Sequence, residues 1–130
     1  MEGDFTNESK RSNPGVGVVD DKIFVFGGYD DDGQYLKTIE VYSEKTKRWE
    51  MMKVTMKTRR SEMGVAVIGD LIFIIGGWNE SSDIGEVEVM NTKTQTMETF
   101  QQEEVEWELE WLMIVSSGHL VVLMARKFLM

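Results

Sequence analysis

The chain has 130 residues, with 23 acidic and 14 basic side chains, and its formal charge is −9 when its one histidine is neutral. One ordinary domain fits this length, and a hydrophobic content of 42% is too high for a disordered tail. With no cysteine and a single histidine, disulfides, zinc or copper clusters and cysteine nucleophiles are excluded. We therefore expect no metal, no cofactor, no enzyme activity, a cytoplasmic location, no membrane segment and, given the negative charge, no nucleic-acid partner.

The central feature of the sequence is an internal repeat that begins after residues 1–10, which we predict to be a disordered N-terminal segment. Arg11 to Tyr29 can be laid over Arg60 to Trp78 without a gap, at a constant offset of 49 residues. Further along, Glu40-Val41-Tyr42 lies over Glu88-Val89-Met90 at an offset of 48. Repetition at this period is typical of architectures built from stacked units.

Each copy of the repeat has the pattern of short strands. Val16 to Val19 and Ile23 to Phe26 are apolar runs separated by Asp20-Asp21-Lys22, which predicts a hairpin whose strands are covered on both faces. Ile39 to Tyr42 and Val87 to Met90 alternate apolar and polar residues, which predicts a half-exposed strand in each copy. Each unit is thus a small antiparallel sheet that must stack on another sheet to bury its faces.

Glycine pairs and spaced aromatic residues then suggest a family. Gly27-Gly28 precedes Tyr29, Gly76-Gly77 precedes Trp78, and Tyr42 is followed by Thr46 and Trp49. This pattern resembles kelch repeats, the blades of a β-propeller. The resemblance implies an all-β fold, an incomplete kelch β-propeller with two good antiparallel blades plus a degenerate third. It also implies structural roles for both glycine pairs, at the ends of strands, and for Tyr42 and Trp49, in the gap between neighbouring blades.

The repeat boundaries follow from this resemblance. Kelch repeat 1 is assigned to residues 11–59, kelch repeat 2 to 60–108, and a degenerate, truncated third repeat to 109–130. Met90 and Met97 replace the tyrosine and tryptophan in repeat 2, and the third copy keeps the strand His119 to Met124 without the glycine pair. Because a closed propeller has at least four blades, we expect uncovered outer faces and either a fragment, a truncated product or a protomer that completes its ring by association.

The resemblance further implies a protein-binding module. In kelch families the loops at one rim hold a partner's peptide, and arginines ahead of the first strand contact acidic motifs. The predicted partner-binding residues are Arg11, Ser12, Tyr29, Asp30, Tyr35, Arg59, Arg60, Ser61, Trp78 and Asn79. An equally weighted alternative is that Arg60 only braces its blade. The expected role is the substrate-recognition part of a cullin-RING ubiquitin ligase adaptor, without the BTB domain, and the alternative is an actin-binding scaffold.

Two other motifs have competing interpretations. Asp30-Asp31-Asp32-Gly33 resembles part of a calcium loop, but its spacing does not fit an EF-hand, so a polar loop between strands is the favoured interpretation. Glu104 to Trp111 alternates glutamate with Val105, Trp107, Leu109 and Trp111. That alternation predicts a strand. It is either an edge strand protected by its charges, or a docking strip for a basic partner or for the chain's own basic stretch from Lys37 to Arg60.

Overall fold

The computed structural model describes residues 10–80, 84–103, 112–116 and 119–123, and these residues form ten strands joined by turns and loops. The strands are β1 Gly15–Val19, β2 Lys22–Phe26, β3 Ile39–Ser43, β4 Arg48–Met51, β5 Gly64–Ile68, β6 Leu71–Ile75, β7 Glu86–Asn91, β8 Thr96–Glu103, β9 Leu112–Ser116 and β10 His119–Leu123. Within the described ranges, no helix is long and apolar enough to span a membrane.

The strands form two antiparallel sheets, as predicted. The order β1-β2-β3-β4 defines blade 1, and the same meander of β5-β6-β7-β8 defines blade 2. The predicted hairpins are confirmed, with Val19 pairing with Lys22 in blade 1 and Ile68 pairing with Leu71 in blade 2. Only two residues remain in each of these turns, so Lys22 belongs to β2 and not to the turn.

The hydrophobic core lies between the two blades. Paired residues of an antiparallel sheet share a face, so Phe24 and Phe26 of β2 point the same way as Ile39 of β3. The facing side of blade 2 contributes Ile72, Ile74 and Met90, and the segment between the blades contributes Met56 and Met63. Fully burying each such side chain stabilises the fold by about 1.5–3 kcal/mol. Stacking of one blade on the other therefore buries the apolar face that blade 1 turns toward blade 2.

The outer face of each blade is covered only in part. On the outer face of blade 1, Val16 and Val18 are 51% and 56% exposed, whereas Val25 and Tyr42 are buried. On the outer face of blade 2, Ile68 is 38% exposed, whereas Phe73 and Val89 are buried. The expectation of uncovered outer faces is therefore confirmed only in part in each blade.

The degenerate third copy contributes a hairpin. The predicted strand from His119 is confirmed as β10, which pairs with β9 from Leu112 to Ser116. Strand β9 in turn pairs with β8, with Gln101 opposite Val115, and extends the second sheet to six strands. The hairpin is therefore joined edge to edge to blade 2. The predicted glutamate-rich strand, Glu104 to Trp111, lies outside the described residues.

The glycine pairs stand where two segments of backbone meet. All four glycines have positive φ, and Gly28 and Gly77 have the largest values, 91° and 89°. A Cβ atom on Gly77 would lie 2.5 Å from the carbonyl oxygen of Ser61, and one on Gly28 would lie 2.7 Å from that of Ser12. Neither position tolerates a side chain, since both the backbone conformation and the space are unsuitable.

Replacing Gly77 with alanine tests this constraint. We expect Gly77→Ala to lower the free energy of unfolding by about 2–4 kcal/mol, because left-handed strain adds to the clash with the Ser61 carbonyl. The matched control is Gly33→Ala, since Gly33 has φ of 80° with nothing within 4 Å of the new Cβ atom. The control should lose only about 1–2 kcal/mol. Equal losses in urea unfolding would contradict the assigned contact.

Candidate functional site

The candidate site is the end of the two blades where β1 and β5 begin and β2 and β6 end, which we call the binding rim. The glycine pairs lie at this rim, and each is followed by an aromatic residue. Tyr29 forms an antiparallel bridge with Ser12, and Trp78 forms the equivalent bridge with Ser61. In both bridges each backbone N–H donates to the opposite carbonyl, at 2.8–3.1 Å. The repeat therefore places one aromatic residue of each blade at the same level of the rim.

Three aromatic rings form a continuous row across both blades. The ring centroids of Tyr29 and Tyr35 are 5.8 Å apart, and those of Tyr35 and Trp78 are 5.9 Å apart. The interplanar angles of 49° and 59° are typical of tilted aromatic contacts. Trp78 is 42% exposed, so its ring offers contact area to solvent. We call Tyr29, Tyr35 and Trp78 the aromatic row.

Hydrogen bonds hold the aromatic row in place. Trp78 Nε1 donates to Glu62 Oε1 at 3.0 Å, and Asn13 Nδ2 donates to Glu62 Oε2 at 3.1 Å. Arg59 Nη1 donates to the carbonyl oxygen of Tyr35 at 3.2 Å, and Asn79 Nδ2 donates to that of Arg59 at 2.8 Å. Both blades therefore contribute to one connected surface.

The structure places the other two predicted arginines inside the blades. Arg11 Nε donates to Glu40 Oε1 at 2.8 Å, and Arg60 Nη2 donates to Glu88 Oε2 at 2.8 Å. All four side chains are 0% exposed. Their guanidinium groups are therefore closed off from a partner at the rim. For Arg60, this geometry matches the alternative in which the arginine only braces its blade. Arg11 is arranged in the same way.

Each arginine joins three parts of its blade. Arg60 Nη1 donates to the carbonyl oxygens of Gly76, at 2.9 Å, and Glu86, at 3.1 Å. Arg11 Nη1 donates likewise to Gly27, at 3.0 Å, and to Thr38, at 2.8 Å. A planar guanidinium with several fixed donors suits this task, since one side chain ties the segment that precedes the first strand of its blade to the glycine pair and to the third strand.

The buried glutamates correct one prediction. The alternating patterns of β3 and β7 predict half-exposed strands, yet Glu40 and Glu88 are fully buried. The physical reason is charge pairing, because a buried carboxylate persists when an arginine neutralises it and hydrogen bonds satisfy its oxygens. Glu88 also accepts from the backbone N–H groups of Lys57, at 2.6 Å, and Thr58, at 3.2 Å.

The remaining predicted rim residues differ in what they can offer. Ser12 and Arg59 are exposed, whereas Ser61 is fully buried beneath its bridge to Trp78. Asp30 Oδ1 accepts from the backbone N–H groups of Asp32 and Gln34, each at 2.9 Å, so this carboxylate shapes its own loop. That geometry is the one expected of a polar loop between strands.

The predicted structural aromatics occupy the outer face of blade 1. Tyr42 pairs with Trp49 across β3 and β4, with ring centroids 5.3 Å apart. Their counterparts in repeat 2, Met90 and Met97, face blade 1 and pack in the core between the blades. In this chain, flexible methionines therefore fill the gap between the two blades. The aromatic pair lies on the face of blade 1 that points away from blade 2, where Tyr42 is itself buried.

Sequence reasoning missed Glu40, Glu88 and Glu62. A signal for the first two was present, since an arginine is followed by a glutamate 29 residues later in repeat 1 and 28 residues later in repeat 2. Glu62 carried no signal, because Asn13 occupies the equivalent position of repeat 1.

Two meander sheets packed face to face, each with its glycine pair at one rim, define the chain as part of a β-propeller. A family model described as the KLHDC2/KLHL20/DRC7 Kelch-repeats domain matches residues 3–127. The chain belongs to the kelch-repeat family, whose repeats form a protein-interaction module.

Three relatives match about a third of this chain. Beta-scruin of Limulus polyphemus is 39% identical over 41 residues, which is 32% of this chain and 4% of scruin. An F-box/kelch-repeat protein of Arabidopsis thaliana is 46% identical over 44 residues, 33% of this chain and 11% of that protein. Alpha-scruin of Limulus polyphemus is 41% identical over 39 residues, 30% of this chain and 4% of that relative. The matches span small fractions of these longer relatives.

A double-mutant cycle tests the buried pair of blade 2. We expect Arg60→Met or Glu88→Gln alone to lower the free energy of unfolding by about 3–5 kcal/mol, because each leaves a buried charge without its partner. The double variant should lose less than the sum of the two single variants.

The control for this cycle is the exposed pair Lys47 and Glu44, in the β3–β4 turn at the opposite end of blade 1. Lys47 Nζ donates to Glu44 Oε2 at 2.6 Å, a hydrogen bond that raises the pKa of Lys47. Lys47→Met should leave the urea midpoint unchanged, since solvent screens exposed pairs. Additive losses at Arg60 and Glu88 would show that the two residues do not act as a pair.

Proposed function

We propose that the binding rim holds an extended segment of a partner protein and that the chain is the substrate-recognition part of a cullin-RING ubiquitin ligase adaptor. The observation that carries the proposal is the aromatic row, which crosses both blades at the rim. Exposed aromatic rings on a rigid scaffold provide a large contact area at low entropic cost, and such residues dominate protein interfaces.

The proposed contact surface is narrower than the sequence suggests. With the guanidinium groups of Arg11 and Arg60 buried, the proposal takes the aromatic row as the main contact, with Arg59 and Asn79 at its edge. Neighbouring exposed side chains, such as Ser12 and Gln34, supply hydrogen-bonding groups around the rings. An aromatic centre with polar groups at its margin is the usual anatomy of a protein interface.

We propose that the chain is a binding module without catalytic activity. Among residues 10–80 and 84–103, no three metal-binding side chains are grouped so that they could hold an ion. A cysteine-free sequence also suits the reducing cytoplasm, where we propose that the chain acts.

The alternative is an actin-binding scaffold, and two assays separate the roles. In the first, the purified chain is used to capture proteins from a cytosolic extract, and cullin is quantified in the bound fraction. In the second, the chain is sedimented with purified filamentous actin. We expect cullin recovery without actin sedimentation, whereas sedimentation with actin and no cullin would favour the scaffold.

Variants of the aromatic row decide whether the rim is the contact. Trp78→Ala should weaken partner binding by about 2 kcal/mol, roughly 30-fold, as expected for an aromatic residue at the centre of an interface. Lys45→Ala is the control, since Lys45 lies in the exposed turn at the opposite end of blade 1. Unchanged recovery with Trp78→Ala would contradict the proposed rim.

A further inference from the structure

The charge around the aromatic row is acidic. The segments that carry or adjoin the rings, residues 29–35, 59–62 and 78–80, contain five carboxylates and two arginines. The carboxylates are Asp30, Asp31, Asp32, Glu62 and Glu80. One arginine, Arg60, is neutralised inside blade 2 by Glu88. Arg59 is therefore the one cation of these segments that faces solvent, and the carboxylates outnumber it.

Glu62 brings a negative charge directly to the exposed ring. Its two oxygens accept from Trp78 Nε1 and Asn13 Nδ2, both of which are neutral donors, so these hydrogen bonds leave the charge uncompensated. Glu62 is also exposed. A cation placed against the Trp78 ring would therefore meet both the negative face of the ring and a nearby carboxylate.

The backbone at Glu62 makes the presence of a glutamate there notable. Its φ is 55°, in the left-handed region, and Asn13 has φ of 54° at the equivalent position of repeat 1. Asparagine enters this region far more readily than glutamate does. Asn13 in blade 1 therefore suits this backbone conformation. Glu62 in blade 2 is less suited to it, carries a charge and lies beside the aromatic row.

We propose that the binding rim recognises a basic segment of its partner, with an arginine or lysine side chain seated on the aromatic row between Glu62 and the Asp30 to Asp32 loop. This inference rests on the proposed function, because it assigns partner chemistry to the same rim. Cation–aromatic contact and charge pairing then act on one side chain. The structure thus favours a partner opposite in charge to the acidic motif that the arginines predicted.

The test uses the full chain and three fluorescein-labelled peptides of equal length, in which a central residue pair in a Gly-Ser background is Arg-Arg, Gln-Gln or Glu-Glu. Fluorescence anisotropy measures each affinity at low salt. We expect the Arg-Arg peptide to bind at least fivefold more tightly than the Gln-Gln peptide, and the Glu-Glu peptide to bind weakest. Equal or tighter binding of the Glu-Glu peptide, or no binding of any peptide, would overturn the proposal.

Glu62→Asn is the decisive variant, since asparagine suits the left-handed backbone and removes the charge. It should weaken the Arg-Arg peptide by about fivefold, the size of a typical contact with a charged group, and leave the Gln-Gln peptide unchanged. Lys45→Ala, at the opposite end, should change neither affinity. Unfolding in urea confirms that both variants are folded, and an unchanged Arg-Arg affinity in folded Glu62→Asn would refute the proposal.

The two proposals fail separately. If Trp78→Ala abolishes capture of the protein partner while Glu62→Asn has no effect on any peptide, the rim stands as the binding site and the basic specificity is wrong. If Trp78→Ala leaves partner capture intact, the rim itself is wrong, and the basic specificity falls with it.

Discussion

The ion pair buried inside each blade is the interaction on which the rim depends. In blade 2, Arg60 ties together the carbonyl of Gly76, the start of β7 and the carboxylate of Glu88. Glu88 in turn holds two backbone amides of the segment that leads from blade 1 to β5. Because the pair is enclosed, it is only weakly screened by salt, and losing either partner leaves a buried charge.

The position of the arginine explains why the aromatic residues are where they are. Arg60 directly precedes Ser61, whose backbone forms the bridge to Trp78, and Arg11 stands in the same relation to Ser12 and Tyr29. The carbonyl oxygen of Arg60 also accepts from the backbone N–H of Gly28 in blade 1, at 2.9 Å. One residue therefore fixes the glycine pair of its own blade, the adjacent bridge and the junction with the neighbouring blade. The buried arginines therefore hold the backbone bridges on which the aromatic row stands.

Sequence was sufficient for the features that follow from periodicity. The offset of 49 residues, the glycine pairs and the apolar runs predicted the meander sheets, and the structure confirms their strands to within a residue or two. The sequence also placed Tyr29, Tyr35 and Trp78 among the rim residues.

The sequence could not predict the burial of Glu40 and Glu88. Alternation along a strand indicates which face a residue occupies, but it does not indicate whether a distant arginine neutralises that residue. For the same reason, the sequence offered Arg11 and Arg60 as partner contacts and could not show that their guanidinium groups are buried. The junction of β9 with β8 was also missed, since an edge-to-edge join leaves no periodic signal.

The most direct test of this account is amide hydrogen exchange, measured by NMR, in the folded protein and in Arg60→Lys. Lysine keeps the charge but lacks the planar set of donors that joins Gly76, Glu86 and Glu88. The account predicts that the amides of Lys57, Gly28 and Trp78 exchange faster in the variant. The amide of Phe73, inside β6, should still exchange only through global unfolding of the protein. If the rim amides keep their protection in Arg60→Lys, the arginine does not organise the rim, and the account is contradicted.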